Sequence, residues 1–189
     1  MTIKSIVKTV GLSILGITLL GVLFSAWVDV EPGQEGFSYR PYNGGVDMKA
    51  SYTEGTYFIA PWNDVITYNI LQQSKSYEST VMDVNGTDIS VEVAVNFSVK
   101  KGHAAKLHLK HGKGYIQFID DKVKGAIKDV VGRYTYQEVY STKREALEGE
   151  VEEILIDDFK GNYIVFHYLE IADVNLPSNI AKEITNKET

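Results

Sequence analysis

Several spacings in this chain could carry chemistry. His103, His108 and His111 lie close together, and His108 with His111 has the i,i+3 spacing that lets two helical imidazoles share a zinc ion. No cysteine exists to complete a site, no carboxylate joins them in a metal-ligand pattern, and Lys106, Lys110 and Lys113 interleave them. The segment therefore reads as a solvated basic face. Asp120-Asp121 and Asp157-Asp158 offer carboxylate pairs for glycoside or metal chemistry. Adjacent helical residues do not face each other, so both pairs read as polar faces. Gly112-Lys113-Gly114 resembles a fragment of a phosphate loop but lacks the spacing and the hydroxyl residue after lysine. Asn85-Gly86-Thr87 and Asn96-Phe97-Ser98 match the glycosylation acceptor pattern, the first in a turn and the second inside a strand. His167 sits in a strand as an ordinary half-buried histidine. No Ser/His/Asp set stands out. The expectation is a non-enzymatic protein with no cofactor, no metal and no catalytic residue.

The element that must position everything else is the uncharged run Thr9 to Val28. About 20 apolar residues rising 1.5 Å each match a hydrocarbon core roughly 30 Å thick. Lys4 and Lys8 precede the run, while Asp29, Glu31 and Glu35 follow it. That asymmetry predicts an N-terminus on the cytoplasmic or matrix side and the bulk of the chain across a single-pass inner (plasma) membrane. A cleaved signal fits less well. An A-x-A-like site ending at Ala26 would put Phe24 in a small-residue position, and the run exceeds the 7–15 residues of a typical signal core.

Formal net charge is −6, and since both early lysines lie ahead of every acidic residue, the remainder carries 17 basic against 25 acidic residues. Such a surface excludes nucleic acid as a partner and gains little from anionic lipid. The absence of cysteine leaves the redox compartment open.

Beyond the run, Glu31-Pro32-Gly33-Gln34 reads as a turn, and Gly36 to Arg40, Val46 to Ala50, Gly55 to Ala60 and Asp64 to Leu71 read as strands. Asn85-Gly86 supplies a hairpin turn between Val81–Val84 and Asp88–Val99. In the second arm Val91, Val93, Val95, Phe97 and Val99 share one parity, which predicts a strand with one face on a core. The period then changes. Gly102 to Gly112 is a short helix, and Tyr115 to Val131 places Ile116, Ile119, Val123, Ala126, Ile127, Val130 and Val131 on one face. Thr142 and Glu145 are spaced as a capping box for a helix carrying Leu147, Val151, Ile154, Leu155 and Asp158. A last strand covers Ile164 to Val174, and Pro177 suits the first turn of a final helix with Ile180 and Ile184 four apart. The order predicts an α+β fold with helices on a small sheet.

Taken in order, these stretches resemble the prohibitin branch of the SPFH (stomatin, prohibitin, flotillin, HflK/C; band 7) proteins. The resemblance rests on Val30-Glu31-Pro32-Gly33-Gln34-Glu35-Gly36, Gly44-Gly45-Val46 and Gly55-Thr56-Tyr57-Phe58-Ile59-Ala60-Pro61-Trp62. It continues through Ile89 to Val99, Val130-Val131-Gly132-Arg133-Tyr134-Thr135, Thr142-Lys143-Arg144-Glu145 and Ile171-Ala172-Asp173-Val174-Asn175-Leu176-Pro177. It implies a scaffold that encloses a membrane patch in rings or cages, as a homo-oligomer or with a paralogue, and that restrains a membrane-bound AAA protease. A monomeric tethered adaptor is the alternative.

The expected organisation is a short segment 1–8, a transmembrane helix 9–28, a membrane-proximal β-rich part 29–99, an α/β part 100–176 and the start of a C-terminal helix 177–189. Relatives carry a longer C-terminal helix there, so self-association is expected to rest on the folded part and the anchor. Trp27, Phe58, Ile59 and Trp62 are the candidate membrane contacts, with Trp62 packed under the meander as the competing reading. Arg144, Glu148, Glu152, Ile180 and Ile184 are the candidate oligomer contacts.

Overall fold

The computed structural model describes residues 3–175, apart from the side chains of residues 3–7, 9, 19, 23, 141 and 142. Ile180 and Ile184 lie outside the described residues. The chain forms two compact units, Met1–Ile70 and Leu71–Thr189.

The first unit opens with helix α1 (Ile3–Phe24). Ser25 ends it by donating its N–H to Gly21 O (3.0 Å) and its hydroxyl to Val22 O (2.9 Å). The expected span to Val28 is therefore too long by four residues, because Trp27 and Val28 are taken into strand β1 (Trp27–Val30). Among the described residues no helix is long and apolar enough to cross a membrane. Strands β2 (Gln34–Arg40), β3 (Gly45–Val46), β4 (Gly55–Phe58) and β5 (Asp64–Asn69) follow. They build a β1–β4 ribbon and a three-stranded antiparallel sheet ordered β3-β2-β5. Phe37 of β2 is buried and stacks on Tyr68 of β5 at 6.2 Å between ring centroids. Gly36 is where β2 must stay bare, since a Cβ there would lie 2.9 Å from Val65 Cγ1.

In the second unit β6 (Gln73–Met82), β7 (Asp88–Val99) and β8 (Ile164–Asn175) form one antiparallel sheet ordered β6-β7-β8. Between β7 and β8 the chain makes α2 (Ala104–His111), α3 (Tyr115–Val131) and α4 (Arg144–Phe159). Val91, Val93, Val95, Phe97 and Val99 are all buried, as their shared parity predicts. Ile119, Val123, Ala126, Ile127, Val130 and Val131 of α3 and Leu147, Val151, Leu155 and Phe159 of α4 complete the core. The division expected after Val99 falls at Ile70 instead. β6 and β7 pair with each other and with β8, so the long hairpin belongs to the helical unit.

One local expectation is replaced by other chemistry. The β6–β7 connection is a five-residue loop rather than a tight turn, with Gly86 at φ +79°. It is built on buried Asp83, whose Oδ1 accepts the N–H groups of Asn85 and Thr87, both at 2.8 Å. α4 begins after Lys143, which makes no side-chain cap, and the Thr142 side chain expected to cap it with Glu145 lies outside the described residues. Thr135 and Glu138 make a reciprocal cap, with Glu138 Oε2 accepting Thr135 N–H at 3.0 Å and Thr135 Oγ1 accepting Glu138 N–H at 3.4 Å. A wide turn then closes with Lys143 N–H on Glu138 O at 2.9 Å.

Candidate functional site

In the first unit, antiparallel register sets Trp27 of β1 opposite Phe58 of β4. Their rings meet edge to face at 5.5 Å between centroids, yet Trp27 is 59% and Phe58 61% exposed. The chain then turns, with Asn63 N–H on Ala60 O at 2.8 Å, and carries Trp62 out to 61% exposure. Phe24, at the end of α1, is 77% exposed. Ile59 does not join this face. Its N–H bonds Ala26 O at 2.7 Å and its side chain is buried beside the equally buried Ala26, so its place among the membrane contacts is corrected. The other end of the ribbon is polar. Asp29 accepts the Thr56 hydroxyl, and Asp29, Glu31 and Glu54 line a shallow cleft there. The ribbon is thus aromatic at Trp27/Phe58 and acidic at Val30/Gly55, three residue steps or about 10 Å away.

In the second unit, α4 covers the outer edge of β8. Glu148 Oε1 accepts the Ile171 N–H at 2.9 Å and Glu152 Oε1 accepts the Leu169 N–H at 3.1 Å. Arg144 Nε lies 3.6 Å from Glu148 Oε1 as an i,i+4 pair. These residues were expected on an oligomer seam. Both carboxylates are instead bonded to the sheet, where they protect an edge that would otherwise offer free donors. Glu148 and Glu152 fall on the inward side because they are spaced with Leu147, Val151 and Leu155, the buried stripe.

The groups with catalytic spacing go to separate structural partners. His103 Nδ1 contacts Lys101 O at 2.9 Å and its ring stacks on Tyr163, whereas His111 Nε2 contacts Asn162 Oδ1 at 2.8 Å and its ring lies on Phe118. Burial and then Lys113 lower the pKa of His108. Asp120 is clamped by Lys75 Nζ at 2.6 Å and by the buried Tyr77 hydroxyl at 3.0 Å. Burial first, then this bond and the carboxylate charge, push the tyrosine pKa up. Asp121 accepts Gln117, and Asp158 pairs with Lys122 at 2.7 Å. Gly112-Lys113-Gly114 is a single 3-10 turn, and His167 Nε2 contacts Ser98 Oγ at 2.9 Å. Among the described residues no group of three or more His, Cys, Asp or Glu could hold a metal ion.

Sequence reasoning missed the junction that ties the hairpin to the turn after α3. Asp83 Oδ2 accepts Tyr136 N–H at 3.2 Å, and Val84 N–H bonds Tyr134 O at 3.2 Å. Beside it the Tyr134 hydroxyl donates to Glu150, which also pairs with Arg133 at 3.1 Å. The hydrogen bond to Lys143, then those to Thr135, bring Glu138 down to about 2. The signal available was Thr135-x-x-Glu138, a second capping pattern beside the one selected.

A family model described as SPFH domain / Band 7 family matches residues 28–189, from β1 through both units. No curated protein is significantly similar to the chain.

Proposed function

Because the chain belongs to the SPFH domain / Band 7 family, we propose that it is a prohibitin-like, membrane-anchored scaffold. It self-associates laterally to organise a membrane patch, and a membrane-bound AAA protease is the class of partner it regulates. The observation that carries the membrane part is the β1–β4 ribbon, aromatic at one end and acidic at the other, directly after α1. Indole and phenyl groups at one end match the interface between acyl chains and water, and carboxylates at the far end match bulk solvent. The sequence from Thr9 to Phe24 is uncharged, with Lys4 and Lys8 before it and Asp29, Glu31 and Glu35 after it. We assign this segment as the anchor on that sequence pattern. Confinement to a plane raises the effective concentration of neighbouring copies, which favours weak lateral contacts.

Lys4 and Lys8 before the anchor and the acidic residues after it orient the chain with its N-terminus on the cytoplasmic or matrix side and the residues after the anchor on the opposite side. A reporter fused after Thr189 and active only in the cytoplasm is therefore expected to stay silent, while a protease added to the opposite side cleaves the fusion. A strong cytoplasmic signal would overturn the orientation and, with it, the compartment of any partner.

A further inference from the structure

The stretch from Lys100 to Gly114 contains five lysines, three histidines and no acid, in a chain whose pI is 5.2. Among the described residues none of those lysines has a carboxylate partner. Lys110 Nζ donates to Gly161 O at 3.0 Å, and Lys106 Nζ lies 5.9 Å from the Tyr163 ring centroid. α2 buries Ala104 and Leu107 and turns Lys106, Leu109 and Lys110 outward, with Leu109 59% exposed. An exposed leucine is ordinary by itself. One set between unpaired cations, at i−3 and i+1, is a patterned face.

The same pattern with opposite charge recurs on α4. Ile156 is 54% exposed, with Glu153 at i−3 and Asp157 at i+1, both exposed and without a hydrogen-bond or ion-pair partner among the described residues. These residues and half-buried Ile154 line an open cleft of about 820 Å³, whose lining also includes Arg133 and Lys160 beside the carboxylates of Glu150 and Asp158. The other acidic groups of α4 are engaged within the chain, Glu150 by Arg133 and Asp158 by Lys122. Glu153 and Asp157 therefore remain for an outside partner.

We propose that the Lys106–Leu109–Lys110 face of one copy docks into the Glu153–Ile156–Asp157 cleft of a second copy. Leu109 packs on Ile156, and the lysines face the two carboxylates. The occupant is a copy of this chain because the chain carries both halves of the complementary pattern, in the same spacing. An interface whose apolar centre is ringed by opposite charges gains its partner selectivity from the charges. Two different surfaces make the contact heterologous, the kind that continues from copy to copy. This inference rests on the scaffold reading and names the contact that would serve it.

The absence of cysteine gives a clean test. Full-length chain is prepared in mild detergent as Leu109→Cys and, separately, as Ile156→Cys, and the two are mixed and gently oxidised. A cross-linked pair is expected from the mixture and little from either variant alone. In parallel, Lys106→Glu with Lys110→Glu, and Glu153→Lys with Asp157→Lys, should each weaken self-association by about tenfold or more. Mixing these two charge-reversed chains should restore it, which also shows that both are folded. A chain that self-associates but neither cross-links at these positions nor responds to the swaps overturns this contact and leaves the scaffold reading standing. A chain that stays single at every concentration overturns both.

Discussion

At the scale of single residues, the exposed aromatics and the buried carboxylates make opposite demands. The chain has two tryptophans, so Trp27→Phe leaves Trp62 as the sole indole. In bilayers carrying brominated acyl chains its fluorescence should be quenched. Unquenched emission, equal with and without bromine, would return Trp62 to a surface role unconnected with lipid. Buried Asp83 accepts three backbone N–H groups, so Asp83→Ala should cost about 1–3 kcal/mol in chemical denaturation, since it removes the shared acceptor of three part-buried bonds. Glu152→Ala removes one acceptor at a sheet edge that water can reach, and about 1 kcal/mol is expected. The sequence told the aromatic residues from the polar ones but not their depth. Ile59 and Phe58 are neighbours in one apolar stretch, and strand alternation alone sends one inward and the other out. Which of the two goes inward depends on pairing with β1, a partner some 30 residues away.

At the scale of elements, strongly periodic segments were legible. The valine parity of β7 and the stripe of α3 are local properties, and the structure buries those same residues except Ile116, which stays half-exposed in the first turn of α3. The cap preceding α4 was not legible because Thr135-x-x-Glu138 and Thr142-x-x-Glu145 both satisfy the pattern. The one at Thr135 is held in place by Asp83 and Val84, which bond Tyr136 and Tyr134 from far up the chain. The turn they fix has a pH signature. The Glu138 carboxyl, ordinarily 4.5, is brought down to about 2 by Lys143 and Thr135, so it contributes stability above its unfolded value. That contribution is lost as pH falls from about 4.5 towards 2. The protection factors of the Thr135 and Lys143 amides, their exchange relative to an unstructured amide at the same pH, should fall across that window, and Glu138→Gln should remove the dependence. Protection factors that stay flat in the parent chain would contradict the assigned role of Glu138.

At the scale of the whole molecule, the boundary between units shows why pattern reading stops short. Nothing local to β6 and β7 distinguishes them from the meander before them. They join the second unit through β8, whose register with β7 pairs residues such as Val91 and Val174 across more than 80 positions. The charge pattern on α4 has the same lesson, because Glu148 and Glu152 look as available as Glu153 until β8 takes them. The central claim is that the chain acts as an assembly in the membrane. Its most direct test is single-particle imaging of the full chain extracted in mild detergent, across a range of protein concentrations. Particles of several copies arranged in arcs or rings, their copy number falling as salt screens the contacts, are the expected result. Uniform single-copy particles at the highest concentration would contradict the scaffold and leave a tethered adaptor in its place.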